Sequence, residues 1–452
     1  MSNERNGFSS RLGFVLATAG SAVGLGNIWR FPYLAAKYGG GTFLLTYLIL
    51  TLTFGFSLMI TEVALGRRAG TSAIRAFGHF NKKYTFIGYL TTLIPFIIFP
   101  YYCVIGGWVT KYALVSIQGG IHDAASDTFF TGFISKSAEP MIYVLVFLIV
   151  TTLVVAGGVK GGIERVSTIM MPVLIVLLIG VSVFCITRPG AMTGVAYYIK
   201  PNLKDFSPTT ILAALGQLFY SMSLAMGIMV TFGSYMPKKS NLEKSVTQVE
   251  IFDTGVAFLA GLMIVPAVFI FSNGDSSMLA KGPSLMFVML PKVFNSMAFS
   301  SIIAAVFFIL VLLAALTSSI SLLETLVAVL MDKFHMKRGT ACITMFIVAL
   351  LLAVPSSLGF GAWSNITILG FDFLDFFDFI SNSVLMPIVA LCTCILIGWA
   401  AGAKTVTDEV KRNGEKMNRE KLYNVMIKYI APVMLVIILI TYSLAQFGFF
   451  TM

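Results

Sequence analysis

Gly20-Ser21-Ala22-Val23-Gly24-Leu25-Gly26-Asn27 falls in the middle of an apolar segment, 12–37. Three glycines and an asparagine at that depth weaken a helix and release backbone N–H and C=O groups that hydrocarbon cannot satisfy. Taken alone, Gly20 and Gly24 also fit a close helix-packing face. A second stretch shifts the balance. Tyr220-Ser221-Met222-Ser223-Leu224-Ala225-Met226-Gly227 again gathers hydroxyls, a glycine and small residues at the middle of an apolar segment, 209–235. The pieces flanking each stretch are about ten residues long, or ~15 Å of helix, half a bilayer.

The rest of the chain agrees with a membrane setting. Of 452 residues, 57% are hydrophobic and 11% charged, against about 25% charged in soluble proteins. Such a chain cannot clothe a soluble globule, and disorder, a collagen repeat and nucleic-acid binding are excluded with it. Apolar segments long enough for a ~30 Å hydrocarbon core recur eleven times. They run over 12–37, 41–66, 86–117, 141–158, 165–187, 209–235, 247–272, 298–331, 339–355, 367–400 and 423–449, here called spans 1 to 11. Alternating ten-residue strands are absent from the pattern, so the spans read as helices in contact with lipid.

The net charge of +11 is an orientation signal. With the N-terminus inside, 22 of the 31 basic residues fall on the cytoplasmic side, and eleven spans put the C-terminus outside. Arg5, Arg11 and the run to Ala17-Thr18-Ala19 imitate a signal peptide, but the apolar core is shorter than the usual ~7–15 residues. That segment reads as span 1. Cys103, Cys185, Cys342, Cys392 and Cys394 are odd in number and lie in apolar surroundings, so no disulfide framework is expected. His79, His122 and His335 are scattered in polar connections, and no phosphate-cradling G-x-x-x-x-G-K-[ST] run occurs. Nothing suggests a catalytic constellation, so no enzyme is expected.

Spans 1 and 6 each open a five-span half, and their interruptions correspond. Paired breaks of this kind point to an inverted-repeat secondary transporter with its binding site at the midplane. The predicted fold is all-α and membrane-integral: eleven helices in a 5+5 inverted repeat with helices 1 and 6 unwound. Residues 1–190 form the first repeat, 191–402 the second, and 403–452 a cytoplasmic loop and span 11. The half-helix starting at Leu25 and Gly26 offers N–H groups and a positive dipole end to a carboxylate. Free carbonyls at Gly20, Ala22 and Val23 offer hard oxygens to a cation. In span 8, Thr317 and Ser318 present adjacent hydroxyls beside the Ala314 carbonyl, which suits a dehydrated alkali ion. Intrahelical bonding of those hydroxyls is the competing reading.

Arg11-Leu12-Gly13, Gly24-Leu25-Gly26-Asn27, Arg30-Phe31-Pro32, Gly39-Gly40-Gly41, Gly161-Gly162-Ile163-Glu164-Arg165, Gly216-Gln217 and Leu316-Thr317-Ser318-Ser319 together resemble the neurotransmitter:sodium symporters, in particular their bacterial eleven-span amino-acid carriers. The resemblance runs from Arg5 to about Trp399. It implies a first sodium site from Ala22, Asn27, Ser221 and the substrate carboxylate, with Asp253 where the family usually has asparagine. It implies a second from Gly20, Val23, Ala314, Thr317 and Ser318. Two sodium ions are therefore expected, and a carboxylate at Asp253 makes chloride dispensable.

The same resemblance implies a pocket for an α-amino acid. Gly24 leaves space for the carboxylate, the N–H groups of Leu25 and Gly26 face it, and Tyr102 holds it. Carbonyls near Ala22, Tyr220 and Ser223 take the amino group. Ile98, Tyr220, Ser221, Ala225, Met226, Ser318 and Leu322 complete the lining. A largely apolar wall predicts a hydrophobic or aromatic L-amino acid. Arg30 and Asp378 form the outer gate, with Tyr102 and Tyr220 as an aromatic lid beneath them. Arg5 and Asp332, helped by Tyr235, form the inner gate. Phe8 stands where a tryptophan is common. Glu62 supports the break in span 6, and Gly162 with Pro172 marks a span 5 able to unwind. Glu324 has no assigned role. A small amine or betaine-like osmolyte, or a non-transporting sensor, are the rival readings. The short connection between spans 3 and 4 points to a bacterial inner membrane, and the Asn365-Ile366-Thr367 sequon is discounted.

Overall fold

The computed structural model describes residues 7–272 and 283–446. Among them, nine helices are long and apolar enough to cross a membrane: Gly41–Ala69, Lys82–Ile117, Glu139–Ala156, Val159–Ile186, Leu242–Phe271, Ser300–Phe334, Arg338–Leu358, Phe373–Ala400 and Glu420–Tyr442. These are spans 2 to 5 and 7 to 11. Span 1 is a bent pair, Arg11–Ala22 and Gly26–Lys37, with axes 55° apart. Span 6 is likewise split into Pro208–Ser221 and Ile228–Tyr235, separated by six non-helical residues. Both interruptions fall where the sequence loses its uniform apolar character.

Local signals set the half-helix ends. The Ser10 hydroxyl accepts from the Gly13 N–H, 3.0 Å, and caps Arg11–Ala22. Ser207 caps Pro208–Ser221 by accepting from Thr210 N–H, with proline at the first helical position. The first break comes at Val23, which turns extended (φ −76°, ψ 99°). In the second, Ser223 (φ 52°) and Ala225 (φ 62°) adopt left-handed backbone, and Gly227 (φ 76°) opens the next half-helix. Left-handed conformations cost a side chain of order 1–3 kcal/mol each and persist only when the surroundings hold them. Glu62 in span 2 supplies such a hold, because its Oε1 accepts the Ala225 N–H at 2.7 Å.

Packing puts the broken helices at the centre. The first half of span 1 lies against spans 5, 7 and 8, and the two halves of span 6 lie against span 2. Span 3 packs along span 8 and is the most enclosed of the nine unbroken spans, with 78% of its apolar window buried. Span 11 stands at the rim with 28%. The rim helices turn Leu153, Ile169, Val176 and Val433 outward, as lipid-facing surfaces require. Span 5 starts in a π-helical turn, Val159–Glu164, and continues unbroken through Pro172. Span 3 likewise continues through Pro95 and Pro100.

Candidate functional site

Ser21, Ala22, Gly24, Leu25, Gly26 and Asn27 from the first break, with Tyr220, Ser223, Met226 and Ile228 from the second, enclose a cavity of about 30 Å³. Ile98 and Tyr102 of span 3 and Ser318 and Leu322 of span 8 close it. By the measure that one water needs ~10–15 Å³, this is space for a couple of waters. The Tyr102 hydroxyl is buried and has no hydrogen-bond partner among the described residues. It aims at Gly24, where a Cβ would come within 3.4 Å of it and within 2.6 Å of Ser318 Oγ. Only glycine leaves that gap open. A Cβ on Gly26 would overlap the Tyr220 ring, so that glycine lets the aromatic side chain lie against the half-helix.

Two of the expected lining residues go elsewhere. Ser221 turns its hydroxyl to Asp253 Oδ1, 2.7 Å, and accepts from Asn27 Nδ2, 2.9 Å, so it joins the polar cluster beside the cavity. Ala225 is fully buried, and the left-handed turn commits its N–H to Glu62. Conversely, Ser21, Asn27 and Ile228 line the cavity without having been expected there.

Two oxygen-rich clusters flank the cavity. In the first, Asn27 Nδ2 donates to Asp253 Oδ1 at 2.8 Å and to its carbonyl at 3.2 Å, while the Asn27 amide oxygen accepts from Gly24 N–H at 3.1 Å. Tyr47 of span 2 completes it, donating to Asp253 Oδ2 at 3.1 Å. Tyr47 escaped the sequence reading, because one tyrosine in an apolar span carries no sign of its partner. In the second, Thr317 Oγ1 donates to the Ala314 carbonyl at 3.0 Å, and Ser318 Oγ donates to the carbonyls of Ser21, 3.1 Å, and Val23, 3.4 Å. A Cβ on Gly20 would lie 3.2 Å from Thr317 Cβ, so this glycine allows spans 1 and 8 to meet. The first cluster collects carbonyl, carboxylate and hydroxyl oxygens and the second carbonyl and hydroxyl oxygens, the donors that hard cations take.

On the side of the expected outer gate, a vestibule of about 490 Å³ is lined by Arg30, Lys37, Tyr101, Asp375, Asp378 and Tyr442, among others. Arg30 lies over the Tyr220 ring, 5.4 Å from its centroid. Asp378 instead accepts from Tyr101 OH at 3.1 Å and from Asn382 Nδ2 at 2.5 Å. No ion pair within 4.0 Å joins Arg30 to Asp378 among the described residues. Tyr101, next to the expected Tyr102, is thus the tyrosine that meets the acid.

Of the expected inner gate, Arg5 lies outside the described residues. Asp332 accepts the Ser72 N–H at 2.6 Å. The Tyr235 hydroxyl, expected beside Asp332, donates to Glu324 Oε1 at 2.7 Å, and Arg338 forks onto both Glu324 oxygens at 2.6 and 2.9 Å. Glu324, left without a role by the sequence, therefore joins spans 6, 8 and 9 through a fully buried carboxylate. Phe8 packs edge-on against Phe14, Phe232 and Tyr235.

Comparison with known proteins gives a consistent result. The model of the sodium:neurotransmitter symporter family matches residues 5–128 and 128–451. A sodium-dependent transporter of Bacillus subtilis, YhdH, is 35% identical, with 95% of this chain and 96% of that one covered. Human sodium- and chloride-dependent GABA transporter 2 is 25% identical over 90% of this chain and 75% of its own. Among solved structures, MhsT in complex with L-phenylalanine superimposes with a TM-score of 0.87 at 38% identity, over 97% of this chain and all of that one.

Proposed function

The chain belongs to the sodium:neurotransmitter symporter family, and from that premise we propose that it imports a hydrophobic or aromatic L-α-amino acid together with two sodium ions by alternating access. One observation carries the substrate class: the buried, unpartnered Tyr102 hydroxyl facing the gap at Gly24. An orphaned donor beside the start of a half-helix suits a carboxylate, and the missing side chain at Gly24 means that the ligand must bring that carboxylate itself. This disfavours an amine lacking one. The Ser21, Ala22 and Ser223 side supplies oxygens for the amino group, and Ile98, Met226, Ile228 and Leu322 meet the side chain. An apolar wall rejects a charged side chain through its desolvation cost. The phenylalanine bound to MhsT agrees with this choice. The cavity is small, so the pliable Met226 and the Tyr220 ring move aside as the ligand enters.

Sodium is cargo here. One ion would use Ala22, Asn27, Ser221, Asp253 and the substrate carboxylate, with the Asn27 amide turned over to present its oxygen. The second would use Gly20, Val23, Ala314, Thr317 and Ser318. Asp253 contributes a fixed negative charge beside the first ion, which supports transport without chloride. Spans 1–5 and 6–10, residues 1–190 and 191–402, act as two repeats that rock about the site, while Arg30 with Asp378 and Arg5 with Asp332 close the two sides. The placement of basic residues supports a bacterial inner-membrane protein with N-terminus inside and C-terminus outside.

Uptake into proteoliposomes under an inward sodium gradient tests this. Leucine, phenylalanine, tyrosine and tryptophan should compete with labelled substrate far better than glycine or GABA, with or without chloride. Glycine or GABA outcompeting them would overturn the pocket assignment, and binding without uptake would identify a sensor.

A further inference from the structure

The chain enters span 5 through Gly157-Gly158-Val159-Lys160-Gly161-Gly162-Ile163-Glu164, and the last of these residues reaches across to span 1. Glu164 is buried, 6% exposed. Its Oε2 accepts the Ser9 N–H at 2.8 Å, and its Oε1 accepts the Ser9 hydroxyl at 2.5 Å and the Ser10 hydroxyl at 3.4 Å. These are the residues just ahead of Arg11–Ala22, so the carboxylate also sits at the positive end of that half-helix dipole. Closeness is built in. A Cβ on Gly13 would overlap the Glu164 carboxylate, so span 1 carries glycine where the acid crosses it.

The carboxylate stands on weak ground. It ends a π-helical turn, Val159–Glu164, whose preceding residue Gly158 has φ 81°, and a Cβ on Gly162 would overlap the Val154 carbonyl. Four glycines in eight residues give this turn little intrinsic hold on a helix. The half-helix is anchored on its other side too, by Phe8 N–H to the Tyr235 carbonyl at 3.0 Å.

We infer that Glu164 is a positioning residue that locks the start of span 5 to the N-terminus of span 1, so that the two segments loosen and tighten as one unit. Loosening span 1 there frees the strand of backbone that leads to Gly20 and Val23. The inference extends the alternating-access reading, but its structural test does not depend on transport.

Hydrogen exchange of the whole protein in detergent or nanodiscs, read by mass spectrometry, tests the coupling from both ends. Ser9→Ala removes the 2.5 Å bond and leaves span 5 untouched in sequence. It should raise exchange across 157–164 about tenfold, the scale of a lost charge-assisted hydrogen bond. Glu164→Gln sets an amide donor against a donor, and by reciprocity should raise exchange across 8–20 by a similar factor. Gly13→Ala should do the same, although alanine is the better helix former. Glu139→Gln, in the external pair with Lys111 and Lys136, serves as the unchanged control. Effects confined to the mutated segment would overturn the inference and leave Glu164 a local cap. A separate arm measures exchange at 8–20 with and without sodium. Failure of sodium to protect that segment would count against the sodium assignment, and the coupling would stand or fall on the first arms.

Discussion

Replacing Tyr102 by phenylalanine removes one oxygen, and the structure predicts opposite effects on stability and on binding. The hydroxyl is buried, its residue is 4% exposed, and no hydrogen-bond partner satisfies it among the described residues. Leaving a buried donor unpaired costs about 1–3 kcal/mol, so the ligand-free protein should lose nothing and gain up to that amount. Binding should suffer. A hydrogen bond to a charged group is worth about 1.5–3 kcal/mol, so the substrate Kd should rise by roughly 10- to 150-fold. The measurement is paired: the thermal midpoint of the ligand-free protein in detergent, and saturation binding of labelled phenylalanine or leucine in sodium. A variant that melts no lower and binds weakly fits a hydroxyl reserved for the ligand. A variant that melts markedly lower refutes the orphaned-donor argument, because the hydroxyl then has a structural partner. Unchanged affinity refutes its role toward the carboxylate.

Three further outcomes follow from the charged groups. Asp253→Asn removes the negative charge that Asn27, Ser221 and Tyr47 surround, and should make uptake respond to chloride; uptake that stays active and indifferent to chloride would count against Asp253 as its substitute. Arg338→Met strands the fully buried Glu324 with Tyr235 alone, which should destabilise the protein by about 3–5 kcal/mol and accelerate substrate efflux, read by melting and by counterflow. Arg338→Met with Glu324→Gln should recover much of the lost stability. Arg67→Met empties the buried guanidinium that holds Glu409, 2.8 Å, and the Ser240 carbonyl, 2.8 Å. Its cost should fall near or below the lower end of the same range of about 3–5 kcal/mol, because Arg412 stands 3.6 Å from Glu409 and takes over part of the charge.

Legibility in the sequence followed the range of the cause. Glycines and hydroxyls in an otherwise apolar background marked both breaks, since a membrane makes each released backbone group costly wherever the fold puts it. Ala22, Gly24, Leu25 and Gly26 of span 1, and Tyr102, Met226, Ser318 and Leu322, were accessible through the family resemblance. Ser221 and Ala225 were not: Ser221 ends a half-helix and is drawn to Asp253, 32 residues on, and Ala225 sits in a left-handed turn whose dihedral angles no periodicity specifies. Tyr47 and Tyr101 find their acids 206 and 277 residues away, and such pairings leave no local trace.

The sequence by itself determined that this is a membrane protein of eleven spans with two interrupted helices, because hydrocarbon rewards uniform apolar runs and penalises every departure from them. It also determined the chemical character of the centre, oxygen-rich and nearly free of charge. Tertiary structure alone decided which charges meet. Glu324 is held by Arg338 and Tyr235, Asp378 by Tyr101 and Asn382, and Glu164 by the head of span 1. Each carboxylate needed a partner once buried, but the partner was chosen by how the helices cross, and that is set by packing along their whole lengths.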